Sequence, residues 1–246
     1  MIIFLKTIAK SNKFLLLISE KILSFLSVNF EKEYILAQNY TNPKIIDVGG
    51  HCGESIKGFL KFNKNSKIYS FEPNKKLFLK IKKKFKQNKN IKVFNYAISE
   101  NKIYKLYIPQ VFGIDLTLWS SFSKEYLRDR WTNFTSINFN FLKVNEISVK
   151  SKKLDFFKIN PDIIKIDAEG AEFEIIKSCK KILSKNKPLL IIEFHSQNFS
   201  KIKKLLSNYK YTPYLFNFRE KKLKSITNYN LKKIKSRSTS TNIVFK

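Results

Sequence analysis

Glycine is scarce in this 246-residue chain, with only 6 in all, and that scarcity makes their placement informative. Cysteine, histidine and tryptophan number 2 each, methionine 1 and proline 6. Two cysteines exclude a disulfide framework and point to a reducing, cytoplasmic setting. No Cys/His spacing suggests a zinc site. Carboxylates are also few, 19 against 48 Lys+Arg, for a net charge of +29. No hydrophobic run approaches the length of a membrane-spanning helix. The apolar run 14–18 after Lys6, Lys10 and Lys13 has the look of a weak leader, but Glu20 and Lys21 end it and no small-residue cleavage site follows.

What is present is a hydrophobic fraction of 43%, ample for the core of one α/β domain. The charge admits two readings. One is a polyanionic partner, RNA or an anionic membrane. The other is coding composition, because Lys, Asn, Ile and Phe are abundant together and the lysines are spread over most segments. The even spread favours the second. Residues 1 to about 40 read as a helical flank, with Ile8, Leu15, Ile18, Ile22, Leu26 and Phe30 recurring between Lys and Ser. Its lysine-rich face would suit peripheral contact with a membrane surface.

Four of the six glycines fall at 49, 50, 53 and 58. They follow a β-branched run, Ile45, Ile46 and Val48, that reads as a buried parallel strand. A strand ending in Asp47 and running into Gly49, Gly50, His51 and Gly53 is a nucleotide-type turn. A carboxylate before the turn would repel a pyrophosphate and suit a cationic ligand; S-adenosylmethionine, with its sulfonium and ammonium groups, fits. Lys67 to Phe71 reads as the second strand, and Glu72 ends it, 25 positions after Asp47. An acidic residue there is placed to accept ribose hydroxyls. Asn74 reads as the N-cap of a helix carrying Leu77, Phe78, Ile81 and Phe85, and Ile91 to Phe94 as strand three.

Ile103 to Ile108 reads as a strand paired back on the preceding segment through a turn at 100–102. Residues 109–135 show no clean period, hold both tryptophans, and read as an aromatic loop. As part of an insertion at 109–150 they are a candidate wall for an acceptor site. Strict alternation over 136–141 reads as a half-buried strand. Asp162 to Asp167 and Leu189 to Phe194 read as buried strands, each with functional side chains at its end: Asp167 and Glu169 at the first, Glu193 and His195 at the second. A helix over 197–208, a strand near 211–216 and a last strand over 241–245 complete an α/β pattern around a mostly parallel sheet.

The pieces Ile-Asp-Val-Gly-Gly-His-Cys-Gly (46–53), Phe-Glu-Pro (71–73), Asn-Tyr-Ala-Ile-Ser (95–99), Ser-Ser-Phe (120–122), Leu-Asp-Phe-Phe (154–157), Ile-Lys-Ile-Asp-Ala-Glu-Gly-Ala-Glu (164–172) and Ile-Glu-Phe-His (192–195) together resemble the FkbM family of S-adenosylmethionine-dependent methyltransferases. The family often has Ala-Asn where this chain has Gly50 and His51. The resemblance implies a Rossmann-like doubly wound sheet of seven strands, the last antiparallel, over 41–246. It implies O-methylation of a hydroxyl on a carbohydrate or secondary metabolite. By motif position Asp47, Gly49, Gly50, His51 and Gly53 shape the methionine end of the cofactor site, Glu72 binds its ribose, Ala97 and Ile98 flank its adenine, and Asp167 borders it.

Asp167, Glu169, Glu193 and His195 are the candidate catalytic groups, with His195 suited to act as a base near neutrality. Glu172 reads as an N-terminal helix charge or a partner of Lys165 or Lys177. A divalent metal held by Asp167, Glu169 and Glu193, as some O-methyltransferases use, stays open, but no ligand spacing requires it and none is assigned. The alternative activity is RNA methylation or RNA binding using the basic charge, although no base-methylation motif is present. The acceptor and the oligomeric state are not readable.

Overall fold

The computed structural model describes residues 31–111, 113–135, 138–226 and 242–246. Most of the expected N-terminal helical flank, and the expected strand residues 136 and 137, lie outside the described residues. The described residues divide into two compact units, one built from residues 103–149, the other from 31–102 and 150–246.

The larger unit is a sheet with helices on both faces. Its strands are β1 (Lys44–Val48), β2 (Lys67–Phe71), β3 (Ile91–Phe94), β8 (Ile163–Ile166), β9 (Leu189–Glu193), β10 (Pro213–Asn217), β11 (Lys222–Ser225) and β12 (Asn242–Phe245), with β4 to β7 described below. Their order is β11-β10-β12-β9-β8-β1-β2-β3. Pairing is parallel from β3 through β2, β1 and β8 to β9, and β12 is antiparallel to β9. The fold is therefore the doubly wound α/β arrangement expected, with its last strand antiparallel. The strands number eight rather than seven among the described residues, because a turn at Arg219 to Lys221 folds β11 back on β10. Asn217 holds that turn by accepting the backbone N–H groups of Arg219 and Glu220.

Alternation along the central strands divides the core. Ile45, Ile68, Ile163 and Ile191 face α1 (Glu54–Phe62) and α2 (Lys75–Lys84), where Ile56, Phe59 and Ile81 meet them. Ile46, Val48, Ile164, Ile166 and Ile192 face the opposite layer, α4 (Glu172–Lys177), α5 (Lys180–Lys185) and α6 (Ser196–Ser207). Helix α2 begins where Asn74 accepts the Lys76 N–H at 3.0 Å, as the sequence suggests, and buries Leu77 and Ile81 while its lysines point outward. Between β8 and β9 the chain forms two helices, α4 and α5, broken at Ser178 and Cys179. Residues 32–39 form a 3-10 helix packed on α1, with the Tyr34 ring 4.2 Å from that of Phe59.

Ala97 and Ile98 do not extend strand three. They form a separate short strand, β4 (Ala97–Ile98), that pairs in parallel with Ser151 and Lys152 at the end of β7 (Lys143–Lys152). The hairpin expected through 100–102 therefore does not form.

In the smaller unit, β5 (Ile103–Val111) lies between β7 and β6 (Ile114–Asp115). Residues 109–135 are not a loop: they contain α3 (Lys124–Phe134). Ser123 caps α3 by accepting the Tyr126 N–H, and Leu127 and Trp131, one turn apart, are fully buried. Of the expected strand over 136–141, the described Phe139 to Phe141 form a 3-10 turn instead, capped by the Asn138 side chain, and a strand starts at Lys143. Among the described residues no helix is long and apolar enough to cross a membrane.

Candidate active site

Strand order reverses between β1 and β8, so the loops after these two strands diverge at the carboxyl edge of the sheet and leave a crevice. The glycine turn follows β1, and the loop Asp167 to Ala171 follows β8.

Register places Asp47 between two polar residues. Its neighbour on β2 is Ser70 and its neighbour on β8 is Lys165. All three are buried, Asp47 completely. The Ser70 hydroxyl donates to Asp47 Oδ2 at 2.7 Å, and Lys165 Nζ lies 3.5 Å from Oδ1 and 3.3 Å from Asp167 Oδ2 while donating to the Gly49 carbonyl at 3.0 Å. Burial opposes the lysine's charge, but Asp167, Asp47 and Glu31 hold its ammonium well above the ordinary lysine range. Glu31 and Glu33 extend this interior network. Burial raises both, and Glu33, with Glu31 beside it, is pushed up to about 8. Asp47 thus already has a cation, supplied by its own chain. The sequence reading missed Lys165 and Ser70. A lone lysine inside the apolar run Ile-Ile-Lys-Ile was the available signal, since a buried ammonium requires a carboxylate across the strand.

The glycines of the turn admit the chain itself. A Cβ on Gly49, whose φ is +85°, would fall on the Asp167 carbonyl oxygen, so β8 can follow β1 this closely only past a glycine. A Cβ on Gly50 would collide with the Ser70 hydroxyl, and one on Gly53 (φ +80°) would stand 2.6 Å from the Phe85 ring. The Gly49 and Gly50 N–H groups both donate to the Phe71 carbonyl at 3.1 Å, folding the turn over the end of β2. His51 follows in the left-handed region at φ +43°. Its ring stands 3.5 Å from Glu54, and although burial works to lower its pKa, Cys52 and Glu54 push it up to about 10. His51 therefore belongs to the turn and to α1.

Glu72 leaves β2 toward the same edge. Oε2 accepts the His51 N–H and Oε1 the Asn74 N–H, each at 2.8 Å. Asn95 fastens the segment by donating to the Glu72 and Pro73 carbonyls at 2.9 Å. Burial raises the Glu72 carboxyl to about 7 against the opposing pull of these two N–H groups and of His51. Each of its oxygens retains a lone pair, so this donor-fixed carboxylate fits the hydroxyls of a ribose. Ala97 and Ile98 are both buried, and Ile98 lies in the main core with Phe71 and Leu154. Half-buried aromatic surface lies instead at Tyr96 and Phe157, whose rings stand 5.9 Å apart edge to face.

The remaining candidates converge. Asp167, Glu169, Glu193 and His195 lie at the ends of β8 and β9, which are parallel neighbours. His195 Nε2 is 2.8 Å from Glu193 Oε2 and 3.6 Å from Glu172 Oε1. Burial, then the charges of Asp167 and Glu169 and a hydrogen bond shared with Asp167, push the Glu193 carboxyl well above the ordinary range. Glu169 sits in the left-handed region at φ +50°, followed by Gly170 at +101°. Glu172 is fully buried, and its Oε1 accepts the Ala168 and Gly170 N–H groups at 3.2 and 3.0 Å. It acts at a helix N-terminus as expected, whereas Lys177 pairs with Glu174 and Lys165 with Asp47 and Asp167. Asn198 on α6 donates to the Gly170 carbonyl at 3.2 Å and ties that helix to the loop.

The family model described as "Methyltransferase FkbM domain" matches residues 47–213, well over half of the chain. The chain is similar to the 2-O-methyltransferase NoeI of Sinorhizobium fredii (strain NBRC 101917 / NGR234), with 22% identity over 167 residues covering 65% of this chain and 67% of that protein. Among solved structures it is similar to the methyltransferase FkbM from Methylobacillus flagellatus KT, with a TM-score of 0.51 and 16% identity. That match covers 83% of this chain and 44% of the other, so the present chain spans less than half of that relative's length.

Proposed function

The chain belongs to the FkbM methyltransferase family, and we propose that it transfers a methyl group from S-adenosylmethionine to a hydroxyl oxygen of a carbohydrate or secondary metabolite. The observation that carries this reading is the convergence of Asp167, Glu169, Glu193 and His195 at the strand-order reversal, beside the glycine turn and the fixed carboxylate of Glu72. Both protein likenesses are to methyltransferases, and the NoeI name specifies a 2-O-methyltransferase. S-adenosylmethionine, when bound, supplies an already activated methyl carbon.

The chain's own residues do the rest. Glu72 accepts the ribose hydroxyls. The turn from Gly49 to Gly53 holds the strand ends at the spacing the cofactor needs, and Asp47 braces it from inside through Ser70 and Lys165. Tyr96 and Phe157 offer flat apolar surface for the base. The carboxylate and imidazole cluster orients the acceptor hydroxyl and receives its proton as the oxygen attacks. Two free cysteines, Cys52 and Cys179, accord with a cytoplasmic setting.

Calorimetric titration with S-adenosylmethionine, followed by transfer of labelled methyl into fractionated glycan and small-molecule material, tests the reading. Saturable binding weakened by Glu72→Gln, and label recovered in an alkali-stable ether, are the expected results. Label appearing in RNA would replace the hydroxyl acceptor with the nucleic-acid one. No cofactor binding by folded protein would overturn the assignment.

A further inference from the structure

We propose that the outer face of α2 docks on an anionic lipid surface, with Leu79 entering between the headgroups and the lysines around it meeting their phosphates. Helix α2 packs inward through Leu77 and Ile81. Leu79 lies two positions from each, and at about 100° per residue that sets it on the opposite side of the helix. It is 52% exposed there. Its neighbours one turn away, at i−4, i−3, i+3 and i+4, are Lys75, Lys76, Lys82 and Lys83, all exposed. One apolar tip therefore stands inside a ring of four lysines. Lysine stems are themselves apolar and widen the tip, while their ammonium groups reach outward.

The surroundings extend the charge. Lysine fills nine of the eighteen positions from Lys75 to Lys92, and no Asp or Glu occurs between Glu72 and Glu100. Coding composition raises lysine throughout a chain, but it does not clear the carboxylates from one stretch. Elsewhere on the surface Lys105, Lys153, Lys177 and Lys224 each pair with a glutamate. Among the described residues Lys75, Lys82, Lys83, Lys86 and Lys89 pair with no carboxylate. Lys80 and Lys84 reach instead toward the glycine turn, Lys80 Nζ standing 3.8 Å from the Cys52 thiol and Lys84 Nζ donating to the Cys52 carbonyl at 2.6 Å.

The chemistry of this face favours lipid over nucleic acid. No arginine lies between Glu72 and Glu100, so the face offers point charges rather than planar forks for bidentate phosphate recognition. It offers no open stacking platform for bases either. Phe78 is half-buried with Lys82 Nζ 5.8 Å from the centre of its ring, and Phe85 packs against the core layer of Ile56, Phe59 and Ile81. A central apolar side chain flanked by ammonium groups matches the boundary between acyl chains and phosphates. Docking does not rest on the methyl-transfer reading. Where that reading holds, docking brings acceptors carried on lipid to the enzyme, because α2 begins three positions after Glu72.

Co-sedimentation of the full chain with vesicles of equal parts phosphatidylglycerol and phosphatidylcholine, without cofactor and at ~0.15 M salt, tests the surface. Binding to these vesicles and not to pure phosphatidylcholine is expected. A lysine near an anionic surface contributes about fivefold, so Lys82→Gln/Lys83→Gln should weaken binding about 25-fold. Lys201→Gln/Lys204→Gln, equally exposed on α6, removes the same charge and should weaken it less than about threefold. Leu79→Gln leaves the charge unchanged and should still weaken vesicle binding about tenfold. Leu79→Trp should add an emission that shifts to the blue on vesicles and is quenched by brominated lipid, beyond the response of the parent's own tryptophans. Circular dichroism confirms that each variant is folded. Equal losses from the α2 and α6 pairs would leave only overall charge and overturn the surface, as would undiminished binding by Leu79→Gln. Tighter binding to a single-stranded RNA than to vesicles, reduced in Lys82→Gln/Lys83→Gln but not in Leu79→Gln, would replace lipid with nucleic acid. Loss of docking with intact S-adenosylmethionine binding condemns the docking surface alone, and the reverse condemns only the cofactor reading.

Discussion

Lys165 stands directly across from Asp47 in the β1–β8 register, and its ammonium lies 3.5 Å from the Asp47 carboxylate with both side chains shut away from solvent. The carboxylate that looks designed for a ligand's positive charge is therefore neutralised from within. Removing one member of such a pair leaves an uncompensated buried charge at a cost of about 3–5 kcal/mol. Asp47→Ala and Lys165→Ala should each lower the urea midpoint sharply. The double variant Asp47→Asn/Lys165→Met should be more stable than Lys165→Ala, because position 47 then carries no buried charge. A double variant no more stable than that single would refute the pairing as the reason for the loss.

Gly49 and Gly53 make a contrasting pair. Both sit at positive φ, where any other residue costs about 1–2 kcal/mol. Gly49→Ala in addition drives its Cβ onto the Asp167 backbone, which belongs to the sheet and cannot move, whereas Gly53→Ala meets a half-buried Phe85 ring that can turn away. Thermal unfolding should show Gly49→Ala much the more damaging of the two. Equal losses would mean that the backbone conformation alone matters.

Glu72 should make cofactor binding depend on pH near neutrality. Its carboxyl is raised to about 7, so it is mostly protonated at pH 6 and mostly ionised at pH 8. The ionised form accepts both ribose hydroxyls. If only that form binds well, affinity should rise about tenfold over this interval. Glu72→Gln should bind weakly with a flat profile. The effect on stability has the opposite sign: a carboxyl whose folded pKa is raised contributes fully below its unfolded value near 4.5, and that contribution is lost as pH rises through about 7. Calorimetry at three pH values, with urea melts alongside, separates the two.

Trp131 anchors the core of the smaller unit with Leu116 and Leu127, its ring meeting that of Trp119 edge to face at 5.3 Å. Trp131→Ala should cost that unit about 3–5 kcal/mol. Hydrogen exchange should quicken over α3 and β5. Unchanged protection there would show that the helix is held by something other than this cluster.

How far the sequence was legible followed from how local each determinant is. Lys67 to Phe71, Ile91 to Phe94 and Lys75 to Lys84 occupy the elements their residues indicate, because apolar runs and a capped 3.6-residue period are written within a few positions. Helix α3 was hidden because, among its described side chains, Leu127 and Trp131 alone are fully buried, too few for a visible period. The alternation at 136–141 misled because the Asn138 side chain takes the Asn140 N–H and turns the chain instead.

The candidate site divides along the same line. The sequence by itself determined which groups exist for chemistry: a glycine turn after an acidic strand end, an acid 25 positions on, and two later strands ending in carboxylates. Family membership, too, was readable in those motifs. Tertiary structure alone decided which of them face one another. Parallel pairing of β8 with β9 brings Glu169 to Glu193 and His195 across 24 positions of chain, and the register of β1 between β2 and β8 gives Asp47 its serine and its lysine. Such relations depend on strand order and register, which no run of neighbouring residues encodes. Charge balance at each site is then set by partners far away in sequence.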